Sequence, residues 1–212
     1  MVQYFKNKVT KEELNKLFKN NTNKDIFISE YPFFGSDDNT AFYIDFINDN
    51  ILNNSVKLKE QAIELSIAVG IFKPSYINAI KEIVYSRRGA WIKLTCLDWL
   101  FNFFNRIPED VYLEMNNYLA QSNNELLKIQ SLININLADN HESIFNELID
   151  FCQKCKDSAV FYRLVRALSI LDARKRITTQ EISKTHDVIN RTPYLSSSQR
   201  WELINMIDSV TK

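Results

Sequence analysis

Glycine and proline are scarce in this chain: three glycines (Gly35, Gly70, Gly89) and four prolines (Pro32, Pro74, Pro108, Pro193) serve 212 residues. Tight turns depend on these two residue types, so sandwiches, barrels and propellers are disfavoured. No two glycines stand close enough to write G-x-G-x-x-G or a Walker loop, which excludes the glycine cradles for dinucleotides and nucleoside triphosphates. Cysteine is sparse as well. Cys96, Cys152 and Cys155 are an odd number, form no disulfide framework and point to a reducing compartment. An excess of one charge is also missing: 26 basic side chains balance 26 acidic ones. The chain therefore has no overall field to gather nucleic acid or anionic lipid, and nucleic acid is not an expected partner. The longest wholly apolar run, Ile67 to Phe72, is six residues, against the roughly 20 of a membrane span. The opening MVQYFKNKVTKEE carries no apolar signal stretch. The expectation is a cytoplasmic protein without membrane contact.

What is present is apolar content of 45%, enough for a continuous core, and helix signals over almost the whole length. Thr10 and Glu13 form a capping box ahead of Leu14, Leu17 and Phe18. Residues 24 to 36 read as a loop with one extended stretch, followed by helices at about Asn39 to Asn53 and Val56 to Val69. From there the breaks are short: Pro74-Ser75, Arg88-Gly89, Pro108, Ser122-Asn123, Asp139-Asn140, Asp157-Ser158, Thr178-Thr179, Pro193 and the serines Ser196 to Ser198. Apolar residues between them recur with the helical period, giving about ten helices and no strand.

An internal repeat underlies this spacing. Ala90-Trp91-Ile92-Lys93-Leu94, Glu125-Leu126-Leu127-Lys128-Ile129 and Val160-Phe161-Tyr162-Arg163-Leu164 superpose at an interval of 35 residues without gaps. A basic residue sits between apolar neighbours in each, and an apolar residue returns seven positions later at Leu100, Ile135 and Ile170. A helix pair per 35 residues is the unit of an α-solenoid.

At these residues the chain resembles the HEAT-like and armadillo-like helical repeats. Asp157 followed by Tyr162-Arg163 matches the family's turn aspartate and apolar-basic pair, and Pro74 and Pro108 match its first-helix proline. Arg87 and Ser122 stand where the turn aspartate would be, and His141 stands near the third expected proline. The resemblance implies an all-α fold, a right-handed α-α superhelix of about ten helices in antiparallel pairs. It also implies that Lys93, Lys128 and Arg163 form a ladder between neighbouring repeats. The expected organisation is a single helical-repeat domain over residues 1–212: an N-terminal cap region 1–55, a repeat core 56–175 and a C-terminal cap 176–212. Lys6, Lys8, Lys11, Lys16 and Lys19, interleaved with Glu12 and Glu13, read as the wet surface of the first cap.

Constellations for catalysis are weak. Cys152 and Cys155 share a helix face, but no strand precedes them and no further zinc ligands accompany them, so they read as ordinary thiols. His141 and His186 are the only histidines, and neither has a supporting nucleophile motif. Asp37 and Asp38 read as charges favoured at a helix start. Trp91 and Asp98, seven apart, share a face that turns Trp99 away. This is similar to helical-repeat DNA glycosylases, but the strongly basic groove of those enzymes is absent.

Local charge is more informative. Between Ile107 and Asp150 there are eight acids (Glu109, Asp110, Glu114, Glu125, Asp139, Glu142, Glu147, Asp150) and one base, Lys128. A basic cluster of Arg163, Arg166, Arg174, Lys175 and Arg176 follows. Glu109 with Glu142, and Glu114 with Glu147, fall at matching places in successive first helices, which the resemblance sets toward the convex side. The concave groove is then expected to present Lys93, Asp98, Lys128, Gln130, Asn134 and Arg166. The resulting expectation is a protein without catalytic residues, cofactor or metal. It binds a protein partner through Asp98, Glu109, Asp110, Glu114, Glu142, Glu147, Asp150, Lys93, Lys128 and Arg163. Complementary fields would steer a basic partner to such a surface. The chain is also similar, in class rather than in motif, to helical bacterial immunity proteins. That likeness implies an antitoxin neutralising a basic toxin domain, a nuclease among the candidates. The glycosylase-type enzyme and a generic scaffold are the alternatives.

Overall fold

The computed structural model describes residues 37–53, 56–139, 146, 149–150, 153–154, 159–164 and 178–210. The Thr10 capping box, the lysine-rich start, Cys152, Cys155, His141, Glu142, Glu147, Asp157, Ile170 and the basic cluster from Arg166 to Arg176 lie outside them. Among the described residues there is no strand, residues 149–150, 153–154 and 159–164 are helical, and eight α-helices and one short 3-10 turn have described bounds. They are α1 (Asp37–Asn53), α2 (Val56–Val69), α3 (Tyr76–Tyr85), α4 (Ala90–Phe103), a 3-10 turn (Phe104–Arg106), α5 (Glu109–Ala120), α6 (Glu125–Asp139), α7 (Thr179–Arg191) and α8 (Ser197–Val210). The helices pack on one another, as a helical repeat requires. None among the described residues is long and apolar enough to cross a membrane.

The chain divides into two compact units, Met1–Arg106 and Ile107–Lys212. In the first, α1 packs on α2 and α3, and α4 packs on α2 and α3. The shared core is Phe46, Ile47 and Ile51 of α1, Ala62, Ile63 and Leu65 of α2, Tyr76, Ile80, Ile83 and Val84 of α3, and Ile92, Leu97 and Leu100 of α4. Gly70 ends α2 with φ 68°, its N–H bonding the carbonyl of Ile67 while Ile71 N–H reaches that of Ser66. This is a Schellman termination, which needs the left-handed backbone that glycine adopts without strain. Just beyond it, Phe72 stacks on Trp99 with centroids 5.5 Å apart and touches Phe103 at 5.6 Å. The α2–α3 turn is thereby fastened to α4 by aromatic contact. Tyr76 Oη donates to Asn48 Oδ1 at 2.6 Å, and Lys59 of α2 meets Glu82 of α3 at 3.3 Å.

In the second unit α5 packs on α6 and α7 on α8. Every residue of α6 from Ile129 to Leu137 is buried, including Gln130, Ser131, Asn134 and Asn136. The last two helices start where their sequences allow. Thr178 and Glu181 form a reciprocal capping box on α7. Ser196 Oγ likewise accepts from Gln199 N–H, while Ser196 N–H donates to Gln199 Oε1, at the head of α8. Tyr162, within the helical residues 159–164, donates to Glu202 of α8 at 2.6 Å.

The repeat registers onto these elements. Ala90 and Glu125 are each the first residue of a helix, so Lys93 and Lys128 are both the fourth. Leu94, Ile129 and Leu164 are buried, while Lys93, Lys128 and Arg163 are all half-buried. Leu100 and Ile135 are buried as well.

Candidate protein-docking site

Helix α5 is built to present acids. Pro108 stands at its N-cap with the fixed φ that suits a helix entrance, and Glu109 and Asp110 occupy the first turn. Tyr112, Met115, Asn116 and Leu119 point into the unit. With that side committed to the core, Asp110, Glu114, Asn117, Tyr118 and Gln121 fall on the outer side and are exposed. Their spacing of four, then three or four, is that of one helical stripe. Tyr118 is 48% exposed, so the stripe pairs carboxylates with an aromatic ring, and sequence reading missed this residue. The signal was there: Tyr118 lies four residues past Glu114.

Beneath the stripe lies a buried chain of hydrogen bonds. Arg163 Nη1 donates to Gln130 Oε1 at 2.7 Å, Gln130 Nε2 to Asn134 Oδ1 at 2.9 Å and Asn134 Nδ2 to Asn116 Oδ1 at 2.8 Å. Asn116 Nδ2 then donates to the carbonyl of Tyr112 at 2.8 Å, and Tyr112 Oη donates to the carbonyl of Asn134 at 3.0 Å. A guanidinium can only donate, so Arg163 sets Gln130 oxygen-first and each following amide takes the same sense. Such a chain is polarised along its length and holds α5, α6 and residues 159–164 in one register.

This corrects one expectation. Gln130 and Asn134 do not line a groove: both are buried in the core of the second unit. Polar residues at these positions were read as solvent-facing because partners on other helices are invisible in sequence. Tyr112-x-x-x-Asn116 and Gln130-x-x-x-Asn134, polar pairs four apart inside apolar stretches, were the overlooked sign.

The remaining residues of the expected surface divide between the units. Glu109, Asp110 and Glu114 share α5, and Asp150 is exposed elsewhere in the second unit. Lys128 and Arg163 are half-buried there, Arg163 held by Gln130. Lys93 and Asp98 are half-buried on α4 of the first unit. Glu142 and Glu147 lie outside the described residues. On α4, Trp91 is 67% exposed while Trp99, eight residues on and turned to another side of the helix, is fully buried. His186 pairs with Asp208 at 3.3 Å between α7 and α8, both partly exposed. Among the described residues no cluster of His, Cys, Asp and Glu could hold a metal ion. Compared with family models, curated proteins and solved structures, the chain matches none.

Proposed function

We propose that this chain is a non-catalytic protein-binding module that docks a basic protein partner on the acidic outer face of α5. The observation that carries this reading is the exposed stripe Asp110, Glu114 and Tyr118, backed by a helix side committed to the core. Carboxylates in water cost the fold little when left on a surface, and they raise the rate at which a cationic partner arrives. An exposed tyrosine among them adds apolar area and a hydroxyl, a combination enriched where proteins meet. We further propose that the helices pair antiparallel into a right-handed superhelix of the HEAT or armadillo kind, extending the acidic stripe through Glu142 and Glu147. In the reading we favour, the partner is a bacterial toxin domain. The chain is then its immunity protein, covering the toxin's active site or nucleic-acid groove without turnover.

The test is co-expression with the product of the neighbouring open reading frame, followed by binding measured at low and high salt. A salt-sensitive complex that restores growth, and that Asp110→Lys with Glu114→Lys weakens by roughly 100-fold, supports the proposal. An affinity untouched by that reversal in a folded protein removes the acidic face from it. Base release from alkylated DNA, abolished by Trp91→Ala or Asp98→Asn, would replace it with the glycosylase reading.

A further inference from the structure

The turn between α3 and α4 in the first unit carries a different kind of surface. From Tyr85 to Trp91 every residue is exposed or half-buried. Tyr85 is 38% and Trp91 67% exposed, and between these two aromatics stand Arg87 and Arg88. Trp, Tyr and Arg are the residues that dominate binding energy where proteins meet. A large indole left in water is an unused apolar area. α4 has no acidic residue in its first turn, and its N-cap is Gly89, which supplies no side-chain acceptor. A methyl group placed on Gly89 would meet no heavy atom within 4 Å beyond its chain neighbours, so the turn is open at this point.

We propose that this turn docks a short acidic peptide segment of a protein partner, at a surface distinct from α5. Arg87 takes a carboxylate through its forked N–H groups, the half-buried Arg88 adds its charge beside it, and Trp91 and Tyr85 cover an apolar side chain. The charge available favours a peptide over a nucleic acid. Two guanidiniums match one or two carboxylates, whereas a strand of phosphates needs a continuous basic track. The neighbouring elements carry acids instead, Glu82 exposed on α3 and Asp98 half-exposed on α4.

The probe is an array of short peptides combining Asp and Glu with Leu, Phe or Trp, printed beside their Asn and Gln counterparts and an oligothymidylate. Hits are then titrated in solution as fluorescein conjugates. In a Trp201→Phe background, Trp91 is the exposed indole among the described residues, and its emission should move to the blue on binding. We expect acidic peptides to bind in a salt-dependent manner. Arg87→Glu and Trp91→Ala should each weaken them by about tenfold, Trp91→Phe by less, and Asp110→Lys with Glu114→Lys not at all. Arg87 and Trp91 are exposed, so these variants keep the fold, and circular dichroism confirms it. The proposal is overturned if no peptide binds, if the neutral counterparts bind equally well, or if the oligothymidylate binds in place of the acidic peptides. It is also overturned if Arg87→Glu and Trp91→Ala leave peptide affinity intact.

Discussion

Asn134 of α6 donates its side-chain N–H to the amide oxygen of Asn116 on α5 at 2.8 Å, and neither residue reaches solvent. The two form the middle link of the chain that starts at Arg163 and ends on the carbonyl of Tyr112. A buried amide is costly unless its donors and acceptors are met. The pair therefore specifies how α5 sits on α6, and with it the orientation of the acidic stripe.

That link predicts a non-additive mutant cycle. Asn134→Leu leaves Asn116 Oδ1 and Gln130 Nε2 buried without their partner and should cost about 3 kcal/mol. Asn116→Leu strands Asn134 Nδ2 and should cost about 2 kcal/mol. Together the substitutions remove both ends of the central bond, so the double variant should lose clearly less than the two single losses combined. Urea unfolding of the four proteins measures this. Simple additivity would mean that the two amides do not interact.

Gly70 gives a sharper local prediction. Its φ of 68° is required by the Schellman hydrogen bonds, and a Cβ there would meet nothing within 4 Å. Gly70→Ala should therefore cost about 1 kcal/mol through backbone strain alone. Gly89 has equally open surroundings but φ −60° at the N-cap of α4. Serine there adds a capping oxygen and should change stability by no more than about 0.5 kcal/mol. Equal effects at the two sites would contradict the left-handed assignment of Gly70.

Tyr76 makes the alkaline limb of stability specific. Burial pushes its phenol up from 10.0 to about 12, while its hydroxyl donates to Asn48. In the unfolded chain the proton leaves near 10, whereas the native chain keeps it until about 12. Across that window the unfolded state binds fewer protons, so stability falls as pH rises; below it this group's contribution is fully present and independent of pH. Tyr76→Phe removes the ionisable hydroxyl. The variant should start less stable near neutrality, having lost the bond to Asn48, yet decline less steeply through the same window. Chemical denaturation at a series of alkaline pH values supplies both slopes, and parallel curves would assign the decline to other groups.

Much of the helical framework was legible because its signals are local. The sequence placed one helix at Asn39 to Asn53 and another at Val56 to Val69, against Asp37–Asn53 and Val56–Val69 in the structure. Scarce punctuation made Gly70, Pro74, Gly89, Pro108 and Pro193 boundaries between helices, and Thr178 and Ser196 carry their capping partners three residues on. The interval of 35 found equivalent helix starts at Ala90 and Glu125. Gln130 and Asn134 failed because their environment is set by distant chain. Amides on a helix face default to water, and partners as distant as Asn116 and Arg163, 18 and 33 positions away, make their burial tolerable. Tyr118 was missed for a different reason: its offset of four from Glu114 places it on the outer side only once the inward side of α5 is seen to be filled by Tyr112, Met115 and Leu119.

Cys96 closes the set with a chemical test of α4. The thiol is fully buried, and burial raises its pKa well above the ordinary cysteine range. Glu60 pushes it further in the same direction, while Lys93 and Arg88 oppose the rise. Only the thiolate attacks disulfide reagents or iodoacetamide, and a protonated, enclosed sulfur is inert. At mildly alkaline pH the native protein should therefore leave the Cys96 peptide unlabelled, with complete labelling once guanidinium unfolds it. Cys152 and Cys155 are thiols too, so the readout must be peptide mapping by mass spectrometry rather than total thiol count. Labelling in the native state proceeds only through opening of the first unit, and Gly70→Ala, which weakens that unit, should speed it about fivefold if opening is complete. A Cys96 that reacts at the rate of a free thiol in the folded protein would place α4 at the surface and remove the core assigned to this unit.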